Sequence, residues 1–224
     1  MSTTKAVAII TGASSGIGKA TALLFAKNGY RLSLAGRNEI NLKQVVDECI
    51  GFGLSNEQIV TTIGDVREEK TLFNIVKQTN EKFGQIDVLV NNAGIIDRGG
   101  AETTPLSVFD DLMDVNFPAV TYYCMSKAAV DKFTECLAQE LAPKGIRVNA
   151  VNPALIVTSL HRRAYMSEEE YKDFVERGKA GHALGRCGTV EEVAQGILYL
   201  ARDATFTTGE LLKIDGGKSL LVPR

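Results

Sequence analysis

The sequence predicts one α/β domain: a doubly wound parallel sheet in a three-layer α/β/α arrangement over residues 1–220. Three observations point there. Apolar runs of about five residues alternate with longer amphipathic stretches along the 224-residue chain. The apolar runs are continuous rather than alternating, as strands covered on both faces require. A glycine cluster separates the first run from the first amphipathic stretch.

The elements follow in order. Ala6 to Ile10 reads as a buried strand. Ile17 to Asn28 reads as a helix that stops at Gly29. Leu32 to Ala35 is a second strand, and Asn38 can cap a helix running to Ile50. Ile59 to Ile63 is a third strand, Glu68 to Phe83 a helix closed by Gly84, and Ile86 to Val90 a fourth strand. Tyr123 to Leu141 is helical. Ile146 to Val151 reads as a strand. Arg162 to Gly181, with Ser167 three residues before Glu170, reads as a capped helix. Thr189 to Arg202 is the last helix and Glu210 to Ile214 the last strand. Leu221-Val222-Pro223-Arg224 matches a thrombin-site remnant as well as a natural tail, and carries no part of the fold expectation.

Composition narrows the function. With 25 Lys+Arg against 27 Asp+Glu, the chain has a formal charge of −2. That balance disfavours nucleic acid or an anionic membrane as the main partner, because both select basic surfaces. No apolar stretch approaches the roughly eighteen residues of a membrane span, and the apolar run after Lys5 is too short for a signal peptide. Cys49, Cys124, Cys136 and Cys187 form no CxxC pair and have no His at ligand spacing, so no metal site is expected. Reduced thiols point to the cytoplasm.

Thr11-Gly12-Ala13-Ser14-Ser15-Gly16-Ile17-Gly18 lies between strand and helix. Glycines let a backbone turn tightly and approach a ligand closely, and exposed N–H groups at a helix start attract phosphate. The strand before it, the helix after it and the βαβ frame turn a weak motif into a nucleotide-binding expectation.

The spacing is GxxxGxG. With Asn91-Asn92-Ala93-Gly94, Tyr123-x-x-x-Lys127 and Asn152-Pro153 in that order, the chain resembles the short-chain dehydrogenase/reductase family over nearly its whole length. The resemblance implies a Rossmann-type fold and hydride exchange between a nicotinamide coenzyme and a small carbonyl compound or alcohol. It also implies a homo-oligomer, dimer or tetramer. By the same resemblance Gly12, Ser14, Ser15, Gly16, Ile17 and Gly18 hold the pyrophosphate. Asp65 and Val66 meet the adenine, and Asn92, Ala93 and Gly94 line the coenzyme. Asn91 would steady the central strands, although a turn-forming Asn pair explains both asparagines equally. Pro153, Ile156 and Thr158 would hold the nicotinamide amide. Ala154 stands where the family usually has Gly.

The coenzyme expectation rests on Arg37. In such folds a carboxylate at the end of the second strand binds the ribose 2′-hydroxyl, and a basic residue suits a 2′-phosphate. Here that strand ends Ala35-Gly36-Arg37, which favours NADP(H) over NAD(H). A solvated surface arginine is the competing reading.

Tyr123 and Lys127 share a helix face at i and i+4. A phenol ordinarily titrates near pH ~10, and a neighbouring ammonium lowers that value. The resemblance makes Tyr123 the proton donor and acceptor, Lys127 its tuning cation and ribose holder, and Asn116 the support of a proton relay. The family's Ser is missing: neither Ser107 nor Ser126 matches it. Asn116 and Tyr123 lie seven residues apart where the family has roughly forty. Six intervening residues reach at most about 21 Å, and a fifteen-residue helix alone covers about 22 Å. The chain therefore cannot finish one helix, lay a strand and restart another. Either about thirty residues are absent from this sequence or a true deletion leaves a sheet position empty. The deletion carries a second reading, a dinucleotide-binding relative with impaired catalysis. The Arg162–Gly181 segment reads as a lid over substrate or an ordinary surface helix. His161 and His182 receive no role.

Overall fold

The computed structural model describes residues 5–94, 119–158 and 167–220, which fall into two compact units, Met1–Gly94 and Ile95–Arg224.

The first unit carries a four-stranded parallel sheet in the order β3-β2-β1-β4. Its strands are β1 (Val7–Thr11), β2 (Arg31–Gly36), β3 (Ile59–Ile63) and β4 (Val88–Val90). Its helices are α1 (Gly16–Lys27), α2 (Glu39–Gly51) and α3 (Glu69–Phe83). Every residue of β1 is buried, which is why its five positions are apolar or, in Thr11, internally bonded. Phe25, Leu42, Val45, Ile10, Leu32 and Leu34 are buried in the core, and Ile9 clusters there with Ala35 and Ile75. One polar pair is buried among them. The Thr79 hydroxyl of α3 lies 2.7 Å from Ser33 Oγ of β2 and 2.6 Å from the Ile75 carbonyl, so both hydroxyls are satisfied.

Local signals place the ends. The Asn38 side chain accepts from the Asn41 amide at 2.9 Å and starts α2. Gly84, at φ +72°, ends α3. β4 is shorter than the Ile86–Val90 run suggests, because Asp87 bonds at both levels. Its amide donates to the Val7 carbonyl at 3.0 Å, and its carboxylate accepts from the Val7 amide at 2.7 Å. A side chain thus replaces one rung of the ladder. Among the described residues nothing pairs with the second edge of β4, and Leu89 on that strand is 57 % exposed.

The second unit holds α4 (Ala119–Leu141), β5 (Ala150–Pro153), α5 (Glu168–Ala180), α6 (Val190–Leu198) and β6 (Leu211–Ile214). β5 and β6 pair in parallel. Ser167 and Thr189 each close a capping box, with Glu170 and Glu192 respectively. The predicted Ile146–Val151 strand is displaced to Ala150–Pro153. Before Ala150 side chains carry part of the pairing: the Gly209 amide still donates to the Val148 carbonyl at 2.7 Å, but the Val148 amide donates to Thr208 Oγ1 at 3.1 Å and Asn149 Oδ1 accepts from the Glu210 amide at 2.9 Å.

The last helix ends four residues before the expected Arg202. Past Leu198 the chain widens into a π-helical turn, Tyr199–Asp203. The Arg147 guanidinium fills that opening. It donates to the carbonyls of Leu200 (2.7 Å), Ala201 (2.9 Å), Ala204 (2.9 Å) and Thr207 (3.3 Å). Removing the donor strands several partly buried acceptors, at about 1–3 kcal/mol for each group left unsatisfied. Arg147→Met is therefore expected to lower stability by about 2–3 kcal/mol, or roughly 5–10 °C in Tm for a chain of this size. Thermal and urea unfolding would measure it, and a change under about 0.5 kcal/mol would mean the carbonyls find water instead.

Candidate functional site

In the first unit the glycine turn is built as the motif requires. Gly12 and Gly16 sit at φ +65° and +56°, where residues with a Cβ are strained. Gly18 is required by contact: a methyl there would overlap the Gly12 carbonyl oxygen and Asn92 Nδ2. A Cβ on Gly12 would lie 2.8 Å from Ala93 Cα. The Ala13 amide donates to the Ala35 carbonyl at 3.0 Å, tying the turn to the end of β2.

Asn92 locks this turn to the strand beside it. Its side-chain amide donates to the carbonyls of Thr11 (3.0 Å) and Gly12 (3.3 Å). Thr11 Oγ1 accepts from the amides of Asn92 (3.0 Å) and Ala93 (3.1 Å) and donates to the Val90 carbonyl at 3.4 Å. The strand-steadying role expected of Asn91 thus belongs to Asn92, while Asn91 is exposed.

Among the described residues, the start of α1 carries no side-chain cap from its N-cap Ser15 and no acidic group in its first turn. The first amides and the positive helix end therefore suit an anion. Ser14 lies beside Gly36, whose added Cβ would come 3.3 Å from Ser14 Oγ. Beyond Gly36, the Arg37 guanidinium contacts Asp65 at 3.4 Å, and Arg67 contacts the same carboxylate at 2.9 Å. Together the two cations, Arg67 foremost, hold the Asp65 pKa below the ordinary carboxylate range. A narrow glycine cradle, an open helix start and two arginines fit a dinucleotide with its phosphates.

In the second unit, α4 preserves the four-residue spacing of Tyr123 and Lys127. The Tyr123 side chain and the whole of Asn116 lie outside the described residues. Burial around the Lys127 ammonium lowers its pKa, and the Asp131 carboxylate one turn on raises it. The residue is nonetheless exposed at its surface, which mutes both effects. Asn152 of β5 donates to both Asp131 oxygens, at 3.2 and 3.1 Å, and fixes that carboxylate. Asp131 was within reach of sequence reasoning, because it stands at i+4 from Lys127 as Lys127 does from Tyr123.

Pro153 ends β5, and Ala154 donates to the Ile214 carbonyl at 3.2 Å. Ile156 is buried and bridges Gly188, while Val157 donates to the Gly188 carbonyl at 3.2 Å. This loop is thus held by backbone bonds with Ala in the position of the family's Gly. Thr158 is half-buried. Among the described residues, no group of three or more His, Cys, Asp or Glu could hold a metal, and no helix is long and apolar enough to cross a membrane.

Comparison with known proteins agrees with this geometry. A family model described as short chain dehydrogenase matches residues 6–122, and one described as Enoyl-(Acyl carrier protein) reductase matches residues 116–219. A 3-oxoacyl-[acyl-carrier-protein] reductase from Thermotoga maritima is 35 % identical, covering 94 % of this chain and 96 % of its own. A Caenorhabditis elegans short-chain dehydrogenase/reductase of unknown function, solved with cofactor, superposes with a TM-score of 0.90 at 29 % identity, covering 97 % of this chain and 96 % of its own. ElxO with NADP bound gives 0.84 at 30 % identity, covering 97 % of this chain and all of its own. The Thermotoga alignment runs over 246 positions but takes in 94 % of 224 residues, so about 35 of its positions have no residue here. That is the size of the segment whose absence the Asn116-to-Tyr123 spacing implies.

Proposed function

Because the chain belongs to the short-chain dehydrogenase/reductase family, with its Rossmann-like α/β fold, we propose that it moves a hydride between NADP(H) and a small carbonyl compound or secondary alcohol. The observation that carries this reading is the glycine cradle at the open start of α1, with Arg37 and no carboxylate at the end of β2. When bound, the nicotinamide supplies or accepts the hydride. Gly12 to Gly18 hold the phosphates, Arg37 takes the 2′-phosphate, Asp65 and Val66 face the adenine, and Asn92, Ala93 and Gly94 line the middle. Pro153, Ile156 and Thr158 hold the amide end. Tyr123 gives its phenolic proton to the carbonyl oxygen during reduction and takes one back during alcohol oxidation. Lys127 favours the phenolate, and Asn116 supports the relay. Two relatives support the coarse chemistry: the Thermotoga reductase by its carbonyl substrate, and ElxO by its bound NADP. The same reading carries one domain over residues 1–220, a homodimer or homotetramer, and a cytoplasmic location.

The test is direct. Purified protein is titrated with NADPH and NADH, then offered a panel of ketones, sugars and 3-oxoacyl thioesters while absorbance at 340 nm is followed. The proposal expects tighter NADPH binding and turnover with at least one carbonyl. Failure to bind either coenzyme would overturn it. The missing 35 or so positions favour one second reading, a relative that binds coenzyme without turnover. Saturable binding with no turnover, on a sample whose intact mass is 24.2 kDa, would select that reading.

A further inference from the structure

Arg37 follows β2 and Asp65 follows β3, at the ends of two paired strands whose last rung joins Gly36 to Ile63. Among the described residues, the Asp65 carboxylate accepts four bonds. Oδ1 takes the Arg67 backbone amide at 3.0 Å and Arg67 Nε at 3.2 Å. Oδ2 takes Arg67 Nη2 at 2.9 Å and Arg37 Nη1 at 3.4 Å. A carboxylate offers about four lone-pair sites, so this one is filled. Three of the four bonds come from Arg67, and the one from Arg37 is the longest. The Arg37 side chain is also 61 % exposed, against 35 % for Arg67 and 17 % for Asp65. A long contact from so exposed a side chain holds it weakly.

We infer that Arg67 is a positioning residue for coenzyme selection: by engaging Asp65 through three bonds it leaves Arg37 only weakly held by that carboxylate and available to a ribose 2′-phosphate. The inference rests on the reading of Arg37 given above and extends it to a residue two positions beyond Asp65. Without the Arg67 side chain, Asp65 would have open lone pairs and an unneutralised charge beside Arg37. Arg37 would close onto the carboxylate, and the carboxylate would repel the incoming phosphate. Both effects act on the 2′-phosphate, which only the phosphorylated coenzyme carries, whereas the adenine that Asp65 faces is common to the two. The Asp65 pKa agrees in direction, since Arg67 lowers it most and Arg37 least.

The experiment measures dissociation constants for NADPH and NADH by fluorescence titration at one fixed ionic strength. The proteins are the parent chain, Arg37→Gln, Arg67→Gln, Asp65→Asn, and the Asp65→Asn/Arg67→Gln pair. Arg67→Gln is expected to weaken NADPH about fivefold and NADH less than about twofold. In the Asp65→Asn background the Arg67→Gln effect on NADPH should vanish, because its intermediary is gone. Persistence of the full effect there would overturn the inference and mean that Arg67 reaches the phosphate itself. An equal loss for both coenzymes, or no loss for NADPH, would overturn it as well. Arg37→Gln separates the premise from the inference. If that variant leaves the NADPH-to-NADH ratio unchanged, the 2′-phosphate reading of Arg37 fails. If it lowers the ratio about tenfold while Arg67→Gln does nothing, only the role of Arg67 fails.

Discussion

Tyr123→Phe is expected to lower kcat/KM for carbonyl reduction about 1,000-fold while leaving the NADPH dissociation constant within about twofold. The substitution removes one hydroxyl and keeps the ring. If the phenol is the proton donor, the cost falls on the reaction and spares coenzyme binding; positioned acid–base catalysis contributes about 10²–10⁴-fold. Lys127 supplies the companion test. Burial lowers its pKa and Asp131 only partly opposes that, so the folded chain holds protons on this amine less readily than the unfolded chain does. Stability from this group then rises with pH only between the lowered folded value and the ordinary lysine value, and its surface exposure keeps that contribution small. Lys127→Met should therefore lose turnover without losing Tm, the pattern of a residue kept for chemistry rather than packing. Steady-state rates and thermal melts on the same preparations would check both. A Tyr123→Phe protein retaining more than a tenth of parent turnover would remove Tyr123 from proton transfer.

Much of the first unit was legible because its signals are local. Val7 to Thr11 is wholly buried, so the hydrophobic run marks the strand almost to the residue. Asn38 caps through a side chain three residues from its donor, and Gly84 ends α3 by its own backbone angle. Where a side chain at a distance replaces the ladder, the sequence misleads. Asp87 reaches Val7 across 80 positions and shortens β4. Thr208 and Asn149 take over part of the bonding before Ala150 and shift β5. The π-helical turn was invisible for the same reason, since the group that fills it, Arg147, lies 53 residues before Leu200.

The candidate site divides along the same line. The glycine positions follow from one dense motif, and the structure gives each a steric reason. The Asn92 assignment needed the bonds of its side-chain amide to Thr11 and Gly12, which a pair of adjacent asparagines does not disclose. Asp131 stands one helical turn from Lys127 and follows from that spacing, whereas Arg67 bonds Asp65 and belongs to no recognisable motif. The family's Ser has no counterpart in this chain. Among the described residues no strand pairs with the outer edge of β4, where Leu89 is 57 % exposed.

Gly18→Ala is expected to lower stability by about 2–4 kcal/mol and to weaken NADPH binding more than about tenfold. The added methyl would overlap the Gly12 carbonyl oxygen and Asn92 Nδ2, and would sit 2.8 Å from the Gly12 carbonyl carbon. Two of these atoms are backbone and cannot swing away. The third belongs to the amide that donates to the Thr11 and Gly12 carbonyls, so moving it breaks both bonds. Helix α1 must then back away from the turn, and the cradle widens where the phosphates would rest. Overpacking alone costs about 1–3 kcal/mol, and each displaced hydrogen bond adds about 1. Gly51→Ala is the control. It makes the same chemical change at the end of α2, where nothing lies within 4 Å of the new methyl. There the helix preference of Ala should hold or raise stability, by at most about 1 kcal/mol, with NADPH affinity unchanged. Urea unfolding and coenzyme titration of the two variants separate steric closure of the cradle from a general intolerance of alanine. Parent-like binding by Gly18→Ala would show that the turn can open without loss, and the close packing of α1 against Gly12 would not then be what shapes the coenzyme site.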